Sequence, residues 1–206
     1  MLSRRPIPQR IRTGRRPGPS TTRADILEAS RASFAELGYD RTSVRGVAAR
    51  AGVDPALVHR FYGSKDDLLA AALTVALNPG ERIPELMEGD VGALGERVVG
   101  YFLSVWEQSP SREVLIGMLR SAATNERAAA QLRQFFGREV LGRIAARLGH
   151  EDAELRATLA GSQLLGLAMA RYIIRFDPIA SAEPQTIVAT IAPALQRYLT
   201  EELELR

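Results

Sequence analysis

Cysteine is absent from the 206 residues, which excludes disulfides, thiolate metal sites and a cysteine nucleophile, and which suits a reducing compartment. Lysine occurs once, at Lys65, against 26 arginines, so the number of arginines reflects a base-composition bias more than a function. The two histidines, His59 and His150, stand far apart in the chain. There is no glycine-rich phosphate loop and no nucleophile elbow. His150-Glu151-Asp152 has metal-ligand residue types, but acids at a helix start explain it better. No alternating apolar pattern predicts a strand, and no internal repeat is visible. The basic N-terminus lacks the apolar run of a secretion signal. The least polar stretch, between Arg156 and Arg171, reads as too short to span a bilayer and contains Thr158, Ser162 and Gln163. These absences argue against an enzyme, a cofactor, a bound metal and a membrane partner, and predict a cytoplasmic protein.

What is present is a soluble globular composition, 46% hydrophobic and 25% charged. The net charge of +3 is unevenly spread. Residues 1–20 carry six arginines and no acid, residues 21–77 balance seven bases with seven acids, and residues 78–206 set fourteen bases against seventeen acids. A basic head on a mildly acidic body points to a polyanion at one end only. The head also holds four prolines and two glycines without periodicity, which predicts a disordered arm. Its string Gly14-Arg15-Arg16-Pro17 has the form of a minor-groove hook, although basic arms produce such strings by chance.

The rest reads as helices. Thr22 with Asp25 predicts a helix start; Ile26, Ala29, Ser30, Phe34 and Leu37 give one face, and Gly38 predicts the end. A second helix opens at Thr42 or Ser43, buries Val44, Val47, Ala48 and Ala51, and stops at Gly52. Asp54 caps a third with Pro55 in its first turn, ending near Tyr62-Gly63. Ser64 with Asp67 forms a capping box for a fourth, from Lys65 to about Leu77, broken by Asn78-Pro79-Gly80. Further helices are predicted near 91–108, 110–122, 126–148, 151–175 and 183–204.

Two short helices joined by a tight glycine turn, Ser43 to Tyr62, make a helix-turn-helix on spacing. The run from Ile26 to Ala71 resembles the DNA-binding domain of the TetR family. Ile26-Leu27, Phe34, Gly38-Tyr39, Thr42-Ser43-Val44, Val47-Ala48, Ala51-Gly52-Val53 and Ser64-Lys65 carry the resemblance. The sequence departs from the family pattern at His59, where a phosphate-contacting tyrosine is usual, and at Gly63, where proline is common. The resemblance implies an all-α protein, with a three-helix DNA-binding domain over 21–66 behind the arm of 1–20, and a larger helical effector-binding and dimerisation domain over 67–206. Thr42, Ser43 and Lys65, at two helix starts, are expected to meet phosphates. Pro55, Ala56, Leu57, His59 and Arg60 are expected to reach base edges. Arg60 suits a bidentate contact to guanine, and Ala56 and Leu57 suit thymine methyls. Arg45 is within reach of either phosphate or base.

A single module binds weakly, so a homodimer on a palindromic operator is expected. The last two helices are assigned to the dimer interface through Gly161, Leu164, Leu165, Ala168, Ile187, Ile191, Leu195 and Tyr198; the alternative is that they close the monomer core. Aromatics and methionines gather in the middle of the chain. Tyr101, Phe102, Trp106, Met118, Met169 and Tyr172, with Arg120 and Gln163 as polar partners, are the expected lining of a pocket for a small-molecule effector. Ordinary core packing is the competing reading for each. The family mechanism would be repression relieved by that ligand; the alternative is a DNA-binding or architectural protein without an effector.

Overall fold

The computed structural model of the chain describes residues 19–108 and 111–203; the arginine-rich arm and the Ser109-Pro110 break lie outside them. Among the described residues every regular element is helical. Helix α1 spans Pro19–Arg41, α2 Val44–Ala51, α3 Pro55–Tyr62, α4 Lys65–Leu77 and α5 Pro79–Met87. A short 3₁₀ turn, Val91–Ala93, leads into α6, Leu94–Glu107, followed by α7, Ser111–Ala122. Helix α8, Glu126–Phe135, runs through a π-helical stretch, Phe136–Leu141, into α9, Gly142–Leu148. Helix α10, Ala153–Ala168, ends in a second π-helical stretch, Met169–Ile174, and α11 is Pro184–Thr200.

Local chemistry sets the N-terminal boundaries. The Ser43 hydroxyl accepts from the Gly46 amide at 3.0 Å and starts α2. Gly52, at φ 67°, ends it. The Asp54 carboxylate accepts from the Ala56 amide at 2.8 Å and starts α3 with Pro55 behind it. Ser64 and Asp67 bond reciprocally at 3.1 and 2.9 Å at the head of α4. Gly38 interrupts α1 at φ 70°, and one more turn carries the helix to Arg41. At Asn78-Pro79 the expected break is a corner between two helices. Asn78 in the left-handed region closes α4, and Pro79 opens the unforeseen α5.

Two clusters make the core. The first joins Phe34, Val47, Ala48 and Val58 of the first three helices to Leu68, Leu69, Leu73, Trp106, Val114 and Met118, so it crosses the expected boundary at residue 66. The second joins Leu94, Val98, Val99 and Leu103 of α6 to Ile187, Ala192, Leu195 and Leu199 of α11. Both rely on glycine for close approach. A Cβ on Gly117 of α7 would lie 2.4 Å from the Phe34 carbonyl oxygen of α1. One on Gly95 of α6 would lie 2.4 Å from the Ala192 carbonyl oxygen of α11.

Two buried arginines on the α10 rod tie it to α11. Arg156 donates to the carbonyls of Tyr198 and Glu201 at 3.1 and 2.7 Å, satisfying the end of α11, and pairs with Asp152 at 2.6 Å. That guanidinium holds the Asp152 carboxyl below its usual range. Arg171 donates to Ile179 and Ala182 at 2.7 and 2.8 Å, fixing the turn that enters α11. The helical path Ala153–Ile174 runs 22 residues, long and apolar enough by length and composition to cross a membrane, which corrects the expectation that this stretch is too short. Its two buried arginines face neighbouring protein backbone.

Candidate nucleic-acid interface

Helix α3 carries its apolar side inward and its polar side outward. Val58 is fully buried and anchors it, while Leu57 is half-buried against the first core cluster. Pro55, Ala56, His59 and Arg60 are exposed, as are Ser43 and Arg45 on α2. These six therefore share accessible positions on the helix pair. The imidazole Nδ1 of His59 lies 2.8 Å from the Gly63 carbonyl oxygen. A carbonyl only accepts, so Nδ1 carries the proton and Nε2 is left free for a ligand. Gly63 holds φ 80°, a conformation a proline cannot take. The two departures from the family pattern are thus in direct contact.

Thr42 and Lys65 sit differently from expectation. Thr42 is 2% exposed, and its hydroxyl donates to the carbonyls of Ser33 and Gly38 at 3.1 and 2.7 Å. It braces the corner between α1 and α2, and its hydroxyl is not available to a phosphate. Lys65 is half-buried with Nζ 4.1 Å above the Tyr39 ring centroid and 3.3 Å from the Asp40 carbonyl oxygen. Burial lowers its pKa from the ordinary lysine value, against the opposing charges of Asp40 and Asp66.

Lys65 belongs to a polar clamp between the helix-turn-helix and the remaining helices. Tyr39 donates its phenol proton to Asp66, whose other oxygen accepts from Arg127 of α8 at 2.9 Å. Asn125 donates to the Asp40 carboxylate at 2.6 Å, and the Tyr39 amide donates to the Ser121 hydroxyl at 2.8 Å. Burial pushes the Asp66 carboxyl up, but bonds from Tyr39 and Arg127 and the charges of Arg127 and Lys65 outweigh it and leave the group below its ordinary value. Burial, and then the Asp66 carboxylate, push the Tyr39 phenol up to about 12. The Asp66 contribution is therefore present above its ordinary value of 3.8 and lost as pH falls below it. The Tyr39 contribution is complete below its ordinary value of 10.0 and lost as pH rises from there towards about 12. Above pH 10.0 the thermal unfolding temperature is expected to fall more steeply in the wild type than in Tyr39→Phe. Equal slopes would show that Tyr39 ionisation is not coupled to unfolding. No sequence pattern marks this clamp, because its members lie up to 85 positions apart.

The expected pocket residues fall into three groups. Phe102, Trp106 and Tyr172 come together: Trp106 stacks on Tyr172 at 4.9 Å and 11°, and lies 5.8 Å from Phe102. Met118 is fully buried core. Tyr101 is half-buried and donates to the Leu77 carbonyl, while Met169 is half-buried. Arg120 and Gln163 lie at the surface. The polar groups beside the aromatic stack are instead Arg171 and Glu107, 3.1 Å apart, with Tyr172 3.2 Å from the Arg171 Nε. One concavity of about 450 Å³ opens between α6 and α11 and shares Glu107 with this group, and another of about 340 Å³ opens between α4 and α8 beside Asp66 and Gln134.

Among the expected dimer residues only Leu165 is exposed, at 50%. Ala168, Ile187 and Leu195 close the protomer's own core, the alternative that the sequence leaves open. Gly161 is half-buried, its Cα side packed on Leu141, and Leu164, Ile191 and Tyr198 are also half-buried. The outward faces of α10 and α11 are carried by neighbours outside the expected set: Leu155, Thr158, Ser162 and Gly166, and Ala189, Pro193 and Ala194.

Residues 26–72 match the family described as bacterial regulatory proteins, tetR family, and residues 93–199 match the tetracyclin repressor-like C-terminal domain. The HTH-type transcriptional repressor Rv3405c of Mycobacterium tuberculosis is 37% identical over 76 residues, covering 37% of this chain and 39% of that protein. A crystal structure of a TetR-family regulator (SCO0857) from Streptomyces coelicolor A3 is 41% identical, covers 91% of this chain and 99% of its own, and superposes with a TM-score of 0.70. A SmeT–triclosan complex shares the fold at 24% identity and a TM-score of 0.61, over 90% and 99% of the two chains. The exposed recognition helix, the all-helical body behind it and these likenesses lead to one assignment: the chain belongs to the TetR family of DNA-binding transcriptional regulators.

Proposed function

We propose that the protein is a cytoplasmic homodimeric repressor that holds a palindromic operator and lets go when a small apolar molecule enters its C-terminal helices. The observation that carries DNA recognition is the outer face of α3, where Pro55, Ala56, His59 and Arg60 stand exposed on a helix anchored by Val58. Such a helix reads base edges in the major groove. Ser43, Arg45 and Leu57 complete the candidate contact set. The expected division of the chain at residues 66–67 falls on the first turn of α4. No enzymatic step and no cofactor enters this reading.

Dimerisation is supported by the apolar and small outward positions of α10 and α11. Leu165 and Leu155 stand 50% and 47% exposed in the protomer, which an isologous helix pairing would cover. Effector binding is supported by the Phe102, Trp106 and Tyr172 stack, by the paired Arg171 and Glu107 beside it, and by the π-helical stretch Met169–Ile174 that carries Tyr172. π-helical turns recur at functional sites. The structurally similar SmeT is described in complex with triclosan, a small molecule. A ligand parting this stack would act on α6 and α10 and, through the first core cluster, on α1 and α4. It would shift the population away from the DNA-spaced arrangement only by its differential affinity for the two states.

Selection of bound sequences from random duplex DNA by the purified protein tests the reading. A two-fold symmetric site is the expected product, and unsymmetric enrichment contradicts it. On the selected site, Arg60→Ala is expected to relax preference at one position per half-site by about 1–3 kcal/mol. Uniform weakening across all sequences would reassign Arg60 to the phosphate backbone.

A further inference from the structure

The guanidinium of Arg171 is held by two unlike sets of partners. Its Nη1 donates to the carbonyls of Ile179 and Ala182 at 2.7 and 2.8 Å, the bonds that fix the turn into α11. The edge formed by Nε and Nη2 donates to the Tyr172 hydroxyl at 3.2 Å and to one oxygen of Glu107, the last residue of α6, at 3.1 Å. Both bonds on that edge are longer than the ~2.7–2.9 Å of a well-formed guanidinium–carboxylate fork. The Arg171 side chain is 8% exposed and that of Glu107 38%, so the buried member of the pair is the cation. The two do not part at equal cost. A buried guanidinium left alone is an uncompensated charge, whereas Glu107 can turn to water. An arriving anion that takes the place of Glu107 keeps Arg171 paired; an arriving cation that draws Glu107 away does not.

Glu107 is also one end of the concavity of about 450 Å³ between α6 and α11, a volume within the ~300–1,000 Å³ of small-molecule sites. From Glu107 this groove follows Ser104, Leu103 and Gly100 along α6, faced by Pro184, Val188 and Ala189 of α11. No atom lies within 4 Å of the place a Gly100 Cβ would take, so the glycine leaves that space open. The two turns from Glu107 to Gly100 rise ~10 Å. We infer that the effector is a small monocarboxylate, whose carboxylate displaces Glu107 from the Nε–Nη2 edge of Arg171 and whose apolar body of ~10 Å lies in the groove between α6 and α11. The inference rests on the effector-binding reading above and names the head group that the apolar molecule carries. Glu96, the other acid of the groove, is ~16 Å from Glu107 along the helix, beyond a Debye length at physiological salt, so it does not oppose an anion bound at Arg171.

The test uses the full chain with octanoate, octanamide and octylamine, which share an apolar body and differ at the head group. Calorimetry reads affinity. The fluorescence of Trp106, the single tryptophan of the chain, reads the site, because its ring stacks on Tyr172. Octanoate is expected to bind and to change the emission, with octanamide about 10-fold or more weaker, the difference between a charged and a neutral partner for the guanidinium. Octylamine is expected not to bind. Glu107→Gln removes the competing charge and is expected to tighten octanoate about 5-fold or more. Gly100→Leu fills the groove and is expected to abolish binding. Thermal unfolding without ligand reports whether each variant is folded, and Glu107→Gln, at a partly exposed position, decides the outcome should Gly100→Leu not fold. Octanoate that does not bind, octanamide that binds as tightly, or octylamine that binds more tightly overturns the carboxylate assignment. An octanoate affinity unchanged in either folded variant overturns its placement. Octanoate that binds as expected but leaves operator affinity unchanged keeps the site and removes the proposed release of DNA.

Discussion

Gly117→Ala is expected to lower the thermal unfolding temperature by roughly 5–10 °C and to weaken DNA binding with it, although it adds a single methyl group. The added Cβ would lie 2.4 Å from the Phe34 carbonyl oxygen and 3.3 Å from that of Ala35. Both obstacles are backbone, so no side chain can rotate away. Either α7 moves off α1, or the clash is borne as strain. Overpacking of this kind costs about 1–3 kcal/mol, and more where the neighbours are rigid. The consequence for DNA follows from position. Phe34 is fully buried in the cluster that also holds Val47, Ala48 and Val58, so displacing α1 displaces the seat of the recognition helix. The Tyr39 amide bond to Ser121, one turn along α7, lies on the same contact. Gly100→Ala is the matched control. No atom lies within 4 Å of the place its Cβ would take, and removing a mid-helix glycine should stabilise by about 0.5–1 kcal/mol. A Gly117→Ala protein as stable as the wild type would show that α1 and α7 are not in close backbone contact.

The second large effect concerns assembly. Leu155→Arg combined with Leu165→Arg is expected to yield a folded monomer whose affinity for its operator falls about 1,000-fold or more, into the range of non-specific binding. Both side chains are about half exposed in the protomer, so the change should leave the core intact. In a two-fold interface each substitution is met twice, and four added guanidinium groups would face one another without a partner charge. Sedimentation velocity reads the oligomeric state, and binding to full and half operators reads its consequence. A variant that stays dimeric would move the interface to another surface.

The helix boundaries around the DNA-binding region are legible because they are written in local chemistry. Ser43, Gly52, Asp54 with Pro55, and Ser64 with Asp67 each satisfy or terminate backbone groups within three positions of themselves. The outward face of α3 follows from the same spacing, with Val58 inward and Arg60 outward. Helix α5 is hidden because its start uses the proline that also marks the end of α4, and because Pro84 interrupts its only nine residues. Thr42 and Lys65 read as phosphate ligands from their place at helix starts. Their side chains turn instead to Ser33, Gly38, Tyr39 and Asp40, partners fixed by tertiary packing. Of the expected dimer residues Leu165 stands outward, while Ala168, Ile187 and Leu195 face the protomer's own core. A stripe of Ala168, Ile187 and Leu195 is apolar whether it faces a twin or its own protomer, and composition does not distinguish the two. Arg156 and Arg171 are invisible as core residues, since a buried arginine is recognised only once the carbonyls it satisfies are in place.

A footprint of the purified protein on its selected duplex, with the number of bound protomers counted in the same experiment, tests the central claim most directly. Two protomers protecting two major-groove segments on one face, centred about 34–36 Å apart, are the predicted result. Absence of any protection at moderate salt, or protection by one protomer over a single unsymmetric segment, would contradict it.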